Sequence, residues 1–484
     1  MTYDYIVIGA GAAGLSFSAL MEKRGYRVAL LEAHSLPGGC SSFFERDGNV
    51  FDAGATTLSG LKAGRSLDLL IKELNLNLDC KEINPGLISA LNGKEIKRYK
   101  NQNEWLEELN KKFPNIIHNS FWGLVKRIDD EGWDLSSSLK NFPLRSFSDI
   151  CDFNFTNIIK GLKLIPYFFK SVSSYLNKID SLEYRSFINE LLFITAQNKS
   201  DDTPMLMGAM GLNYPSDTYY AMGGMKAFSL ALAGKCSILF YRHKVLSISP
   251  IENGKKGFCV QTTKGEFKAQ RIVSTLPIWN HEQLFTDEKI RSFFKTSDYN
   301  KKLDECWSAF TIYFTLPLDR NRESLYYQIH CDSIPNCETK SFFASFSHPD
   351  DFSRSRTGRQ VVTISTHTKT QQWVDLPKDV YKKKKAETSN FIIKKLCEYF
   401  RLELHDLENI LTGSPTTFLN YTNRTGGLVG GIPHSLKRNP LKLIFHPTPL
   451  KNFYMIGDTQ FPGQGIGAVV LGAQNLVHHL TKNS

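Results

Sequence analysis

Gly9, Gly11, Gly14 and Glu32 stand at a spacing that fits one chemistry, the grip on a dinucleotide. Gly9 permits a tight turn out of a strand, Gly11 keeps a side chain away from a diphosphate, and Gly14 lets a helix lie close to the strand. The first turn of that helix offers unpaired N–H groups and a positive dipole end to the diphosphate. Glu32 falls where a carboxylate accepts both ribose hydroxyls of an adenosine and repels a 2′-phosphate, which disfavours NADP. These residues need a strand, a turn, a helix and a second strand in that order. The sequence supplies them: an apolar run Tyr5–Ile8, a helix-periodic stretch Leu15–Arg24 with Gly25 to stop it, and Arg27–Leu31 leading to Glu32.

A second glycine-bearing unit lies at the other end of the chain. Asn452–Ile456 reads as a strand, Gly457-Asp458-Thr459 as its turn, and a helix runs from near Gly465 through His479. Asp458 is placed at a strand's carboxyl end, where ligands sit in doubly wound sheets. The helix start at Gly465 and Ile466 offers N–H groups to a developing anion, as at the N1/C2 side of a reduced flavin. Between these ends, Gly38 and Gly39 expose backbone N–H groups after Leu36-Pro37, a geometry suited to phosphate or flavin oxygens.

A chain of 484 residues fills two or three lobes. Hydrophobic content of 41% and charged content of 22% are those of a globular protein. Net charge is +11, with no nucleic-acid module or long basic tail, so a membrane surface fits the charge better than nucleic acid. The nine cysteines form no C-x-x-C and no zinc spacing, which points to reduced thiols in a reducing compartment and to no metal site. The first strand begins almost at Met1 and no apolar run reaches bilayer-spanning length. The expected location is therefore cytoplasmic, at most peripheral on the inner face of a membrane.

Short strands around Asn92-Gly93, helices over Ser66–Leu74 and Glu104–Lys112, and strands around Ser237–Phe240, His243–Ile248, Gly257–Thr263, Phe267–Ala269 and Arg271–Pro277 are predicted. Trp307–Leu316, Leu325–His330, Ser341–Ser347 and Gln360–Thr366 read as one antiparallel sheet with a single buried face, followed by a long helix Val380–Phe400. The Lys382–Lys385 run is a solvated helix face. Asn157–Lys170 mixes bulky apolar residues, aromatics and lysines. It suits either an interfacial membrane segment or a substrate-domain helix whose apolar face is core. The fold class is α/β: a Rossmann-like domain over 1–66, 218–285 and 415–484, of the glutathione-reductase-2 type. Its inserted α+β substrate domain spans 67–217 and 286–414 and is built on an antiparallel sheet, with 153–193 as the membrane-contact candidate.

The motifs IGAGAAGL…LLEAHSLPGGCSSFFERDGNVFDAGAT, YAMGGMKAFSLALA and MIGDTQFPGQGIGAVVLGAQNLV resemble the FAD-dependent carotenoid isomerase and phytoene desaturase family. The GD-x-x-FPGQG ending is close to that of prolycopene-type isomerases, and Gly426–Pro433 to that of carotenoid 3′,4′-desaturases. The resemblance implies non-covalent FAD, with Gly9, Gly11 and Gly14 at its pyrophosphate and Glu32 at the adenosine ribose. It further implies Gly38 and Gly39 along the cofactor, the Val245 backbone at the adenine, Asp458 at the ribityl chain, and Gly465 and Ile466 beside the isoalloxazine. It implies an apolar polyene such as a carotenoid as partner and one-sided membrane association, no nucleic acid, and nothing about oligomeric state. Leu471-Gly472-Ala473 departs from the serine-glycine that relatives carry there.

No catalytic pair stands out: there is no G-x-S-x-G, no H-E-x-x-H and no diagnostic carboxylate pair. Arg424, His434 and His446 fall near the C-terminal segments and are expected at the surface or behind the groups that touch substrate. An amine-oxidase-like flavoenzyme and a prenyl-protein-binding module of the GDP-dissociation-inhibitor type are the rival readings. Retention of Glu32 and Asp458 disfavours the second.

Overall fold

The computed structural model describes residues 2–140, 142–144, 155–176, 179–251, 257–296, 300–438 and 450–482. Among them, two seven-stranded sheets organise the chain. The first is built on Thr2–Ile8, flanked in parallel by Val28–Leu31 and Gly265–Ser274. Leu239–Phe240 extends it beyond Val28–Leu31, and Phe453–Met455 joins in parallel along the second half of Gly265–Ser274. The first half of Gly265–Ser274 carries the antiparallel hairpin Val245–Pro250 and Phe258–Thr262. One continuous strand thus replaces the two predicted at Phe267–Ala269 and Arg271–Pro277, because its two halves serve different neighbours.

The two central strands are apolar without polar alternation because both their faces are covered. Tyr5, Val7, Val28 and Leu30 pack with Leu15, Phe17 and Leu20 of the helix Ala12–Lys23 and with Val470 and Leu476 of the helix Ile466–Thr481. Ile6, Ile8, Ala29 and Leu31 turn to the opposite core with Ile272, Phe285 and Phe453.

The second sheet runs, in strand order, through Glu408–Gly413, Ser308–Pro317, Arg359–Thr368, Ser341–Phe346, Tyr326–His330, Leu87–Leu91 and Lys94–Arg98. Two features correct the sequence reading. Tyr327–Ile329 lies parallel to Ile88–Ala90, so the sheet is mixed rather than purely antiparallel. Both faces are buried, not one. Phe310, Ile312, Phe314, Phe342, Val362 and Ile364 pack against Ile392 and Leu396 of the helix Lys378–Phe400. The alternate residues, Ala309, Thr311, Phe343, Ser365 and His367 among them, turn to an internal cavity.

Helices Gln102–Lys112, Asn119–Ser138, Leu182–Ala196 and Met205–Asn213 share that large core through Trp105, Trp122, Phe187 and Leu206. Helix Phe155–Leu164 and the 3₁₀ turn Ile165–Phe168 lie beside them. Arg65 clamps the glycine-bearing lobe to this helical part. Its guanidinium meets Asp217 at 3.0 Å and Asp129 at 2.8 Å, with all three side chains buried. Asn213 Nδ2 donates to the same Asp129 carboxylate at 2.7 Å.

Candidate functional site

The front turn follows from close packing. The Gly9 N–H donates to Leu31 O at 2.8 Å with φ +97°, which L side chains rarely adopt. A Cβ on Gly14 would stand 2.0 Å from Gly9 O, so strand and helix touch backbone to backbone there. At Gly11 the situation reverses: a Cβ would find nothing nearer than Gly38 O at 4.0 Å and would point into open space. Helix Ala12–Lys23 starts directly at Gly11, three residues before the predicted Leu15, which puts its N-terminal N–H groups at the turn.

Gly38 forms a parallel bridge with Gly11, and its N–H donates to Ala10 O at 2.8 Å, so the second glycine turn, Gly38-Gly39, lies against the first. The Glu32 carboxylate braces both. Oε2 accepts from the Ala10 N–H at 2.7 Å and Oε1 from the His34 N–H at 2.8 Å. Each oxygen retains a lone pair for a further donor. Burial raises the Glu32 pKa, opposed by those N–H groups. Val245 opens its strand beside this end, and both line the same cavity.

The rear turn leaves Phe453–Met455 and carries Asp458 to the other side of the cavity. Asp458 Oδ2 pairs with Arg424 Nη2 at 2.8 Å, while the buried Oδ1 has no hydrogen-bond partner among the described residues. Arg424 also donates from Nε to Leu428 O at 2.7 Å and from Nη2 to Gly430 O at 2.8 Å. Burial pushes the Asp458 carboxyl up and Arg424 opposes it. Gly465 caps the helix Ile466–Thr481, and a Cβ there would meet nothing within 4 Å. Gln464 fixes the approach to that helix, donating to Thr195 O at 2.7 Å and accepting from the Gly431 N–H at 3.2 Å.

Arg424 and His434 therefore do not sit at the surface. Arg424 is buried against Asp458, and His434 lines the cavity with its imidazole pushed down to about 4 by burial. His446 lies outside the described residues.

Both turns face one cavity of about 1350 Å³. Gly9, Gly11, Glu32, Gly38, Gly39, Val245, Asp458, Gly465 and Ile466 all line it, whereas Gly14 stands behind the turn. The remaining wall is mostly apolar: Leu135, Phe193, Leu206 and Met210 from the helices, Leu139 just past Asn119–Ser138, Ile158 and Leu162 from Phe155–Leu164, and Ile165 at the start of the turn that follows. The last three are also 45%, 59% and 45% exposed, which makes them a mouth rather than a closed core. Among the described residues no helix is long and apolar enough to cross a membrane. Nothing in the sequence marked Ser365 or His367, which reach the cavity through the second sheet. Strand alternation puts them on one side of Arg359–Thr368, but the other side, Gln360, Val362, Ile364, Thr366 and Thr368, is itself half polar, so the pattern could not say which side meets the cavity.

A family model for an NAD(P)-binding Rossmann-like domain matches residues 7–74. Prolycopene isomerase 1 of an Oncidium hybrid cultivar is 27% identical, covering 99% of this chain and 84% of its own length. The 1-hydroxycarotenoid 3,4-desaturase of Flavobacterium sp. is 26% identical over 97% of each chain. Among solved structures, wild-type putrescine oxidase bound to putrescine aligns with a TM-score of 0.64 at 16% identity, over 100% of this chain and 99% of that one. The chain is thus similar along its whole length to the carotenoid isomerases and desaturases that its glycine motifs resemble, on the Rossmann-like FAD-binding oxidoreductase fold it shares with amine oxidases.

Proposed function

We propose that the chain is an FAD-dependent oxidoreductase that desaturates or isomerises a long apolar polyene of the carotenoid class. The observation that carries this reading is the continuity of one cavity from two glycine-bearing turns to an apolar, partly exposed mouth. The residues fit the cofactor at both ends. Gly9 and Gly11, with the helix start behind them, would hold the diphosphate, and Gly14 keeps that helix in place. Glu32 would accept the adenosine ribose hydroxyls with its spare lone pairs, and the Val245 backbone would meet the adenine. The orphaned Asp458 Oδ1 is an acceptor awaiting a donor, which a ribityl hydroxyl supplies. Gly38 and Gly39 would line the cofactor, and the N–H groups at Gly465 and Ile466 would face the ring. Bound FAD would supply hydride or electron exchange at its ring. The protein's share is to hold a polyene against that ring between apolar walls and to keep water out.

An amine substrate is less well served. The carboxylates lining the cavity all have partners: Asp217 with Arg65, Asp458 with Arg424, Glu45 with Lys226, and Glu32 with backbone N–H groups. The exposed apolar residues Ile158, Leu162, Ile165 and Phe169 favour one-sided contact with a membrane, from which such a polyene would enter.

The test is expression in cells that accumulate lycopene or its poly-cis precursor, with chromatography of the pigments and the absorption spectrum of the purified protein. A flavin spectrum with a longer conjugated system marks desaturation; an unchanged formula with altered retention marks isomerisation. A protein that takes up no FAD, or unchanged pigment in both strains, refutes the proposal.

A further inference from the structure

The second sheet presents a partly polar floor to the apolar part of the cavity. On its cavity side, Thr311 and Phe343 flank Ser365 in register, and Ala309 stands opposite His367. Most polar groups on this floor are already satisfied. The Ser341 hydroxyl donates to Glu190 at 2.6 Å and accepts from Gln328 at 3.0 Å, and Thr366 Oγ1 lies 2.7 Å from Thr339 Oγ1. The buried Thr311 Oγ1 beside Ser365, and the Ser365 and His367 side chains, are not. Among the described residues, neither the Ser365 hydroxyl nor the His367 ring nitrogens make a hydrogen bond, although both side chains line the cavity. Two polar groups two positions apart on one strand project from the same face.

Their surroundings define what they would recognise. The His367 ring lies 6.4 Å from both Phe193 and Trp307, centroid to centroid, so its neighbours are aromatic. Burial pushes its pKa down to about 4, which keeps the imidazole neutral, able to donate from one nitrogen and accept at the other. Lys369, two residues on, gives its ammonium to the carbonyls of Asp304 and Cys306, stacks over Trp307 at 3.7 Å, and is not among the cavity-lining residues. The Lys369 charge is felt at the His367 ring, but its ammonium is engaged by those carbonyls, so among the described residues no free cation meets a carboxylate at this point. A bare hydrocarbon would cover polar groups without pairing them, which costs binding energy.

We infer that Ser365 and His367 form a recognition point for a neutral oxygen function, a hydroxyl or a carbonyl, and that the natural substrate is an oxygen-bearing polyene rather than a pure hydrocarbon. This rests on the polyene reading of the cavity and adds to it the class of the substrate's end group. Ser365 supplies a hydroxyl that donates or accepts, His367 a second contact to the same oxygen, and Phe193 and Phe343 enclose the adjoining chain.

The experiment titrates the purified, FAD-loaded protein with lycopene and with 1-hydroxylycopene in the same detergent micelles, read by tryptophan fluorescence quenching. One to two neutral hydrogen bonds, together with the unpaired groups a hydrocarbon leaves, correspond to a preference of about tenfold for the hydroxylated probe. His367→Phe and Ser365→Ala each shrink that ratio, the double variant brings it to about one, and His367→Gln keeps part of it. Equal affinities in the wild type, or a preference that survives in the double variant, overturn the inference while leaving the polyene reading standing. Quenching by neither probe overturns both.

Discussion

Arg424 holds the rear turn together, and its replacement gives a sharp test. Arg424→Met removes the partner of Asp458 and the donors to Leu428 O and Gly430 O. The two side chains are only 10% and 15% exposed, so the carboxylate left behind has little water to turn to. Removing one side of a buried pair costs about 3–5 kcal/mol. For a chain of this size, unfolding entropy is about 1 kcal/mol/K, so the expected fall in Tm is about 4 °C near neutral pH.

Asp458 has one escape, which is to take up a proton. Its folded pKa already lies above the ordinary carboxyl value because burial outweighs Arg424, and loss of Arg424 lifts it further. A carboxyl whose folded pKa is raised binds more protons in the folded state. Stability therefore falls as pH rises from the unfolded pKa, about 4, up to the folded one, and then levels off. Arg424→Met should widen that window, losing up to about 1.4 kcal/mol per pH unit inside it. Thermal unfolding followed by tryptophan fluorescence, from about pH 4.5 to about 8, measures both effects. The double variant Arg424→Met, Asp458→Asn carries no stranded charge and should recover more than half of the loss. An Arg424→Met protein that melts with the wild type at neutral pH, or a double variant worse than the single, refutes the reasoning.

Gly14→Ala and Gly11→Ala should separate fold from cofactor. A Cβ on Gly14 collides with Gly9 O, so that variant should lose about 1–3 kcal/mol or more in the FAD-free protein, whereas a Cβ on Gly11 meets open space and should lower FAD content with little change in FAD-free Tm. His281 is buried against Phe294, with Nε2 2.8 Å from Ser274 Oγ, and its pKa is pushed down to about 4. Since the unfolded chain protonates at about 6.5, this residue should take about 3 kcal/mol from stability as pH falls from about 6.5 to about 4, and Tm in His281→Gln should depend less steeply on pH over that range. Leu162→Glu with Ile165→Glu should abolish co-flotation with phospholipid vesicles while FAD content stays at the wild-type level; undiminished flotation would refute contact through the mouth.

The parts of the molecule legible in the sequence are those whose cause is local. The front turn was readable because glycine spacing, an apolar strand and an acid lie within one stretch, and the start of its helix was misplaced because Ala12-Ala13 carry no periodic signal. Pairings across long sequence distance were not readable. Arg424 meets Asp458 through the fold alone, and Leu87–Leu91 pairs with Tyr326–His330 across the whole intervening helical part. Arg65 was hidden for the same reason, since Asp129 and Asp217 lie far along the chain. Ser365 sits in the strand predicted over Gln360–Thr366, and His367 one residue past its predicted end, inside the observed Arg359–Thr368; which of its faces is wet depends on where the helix Lys378–Phe400 lands.

If one chamber holds nucleotide and polyene alike, as proposed, it would impose a sequence of loading. A long rod of carbon seated through the mouth would cork the vessel with the nucleotide already inside it. Flavin should then escape more slowly from the polyene-filled protein than from the empty one, a difference that stopped-flow release of flavin fluorescence would time directly.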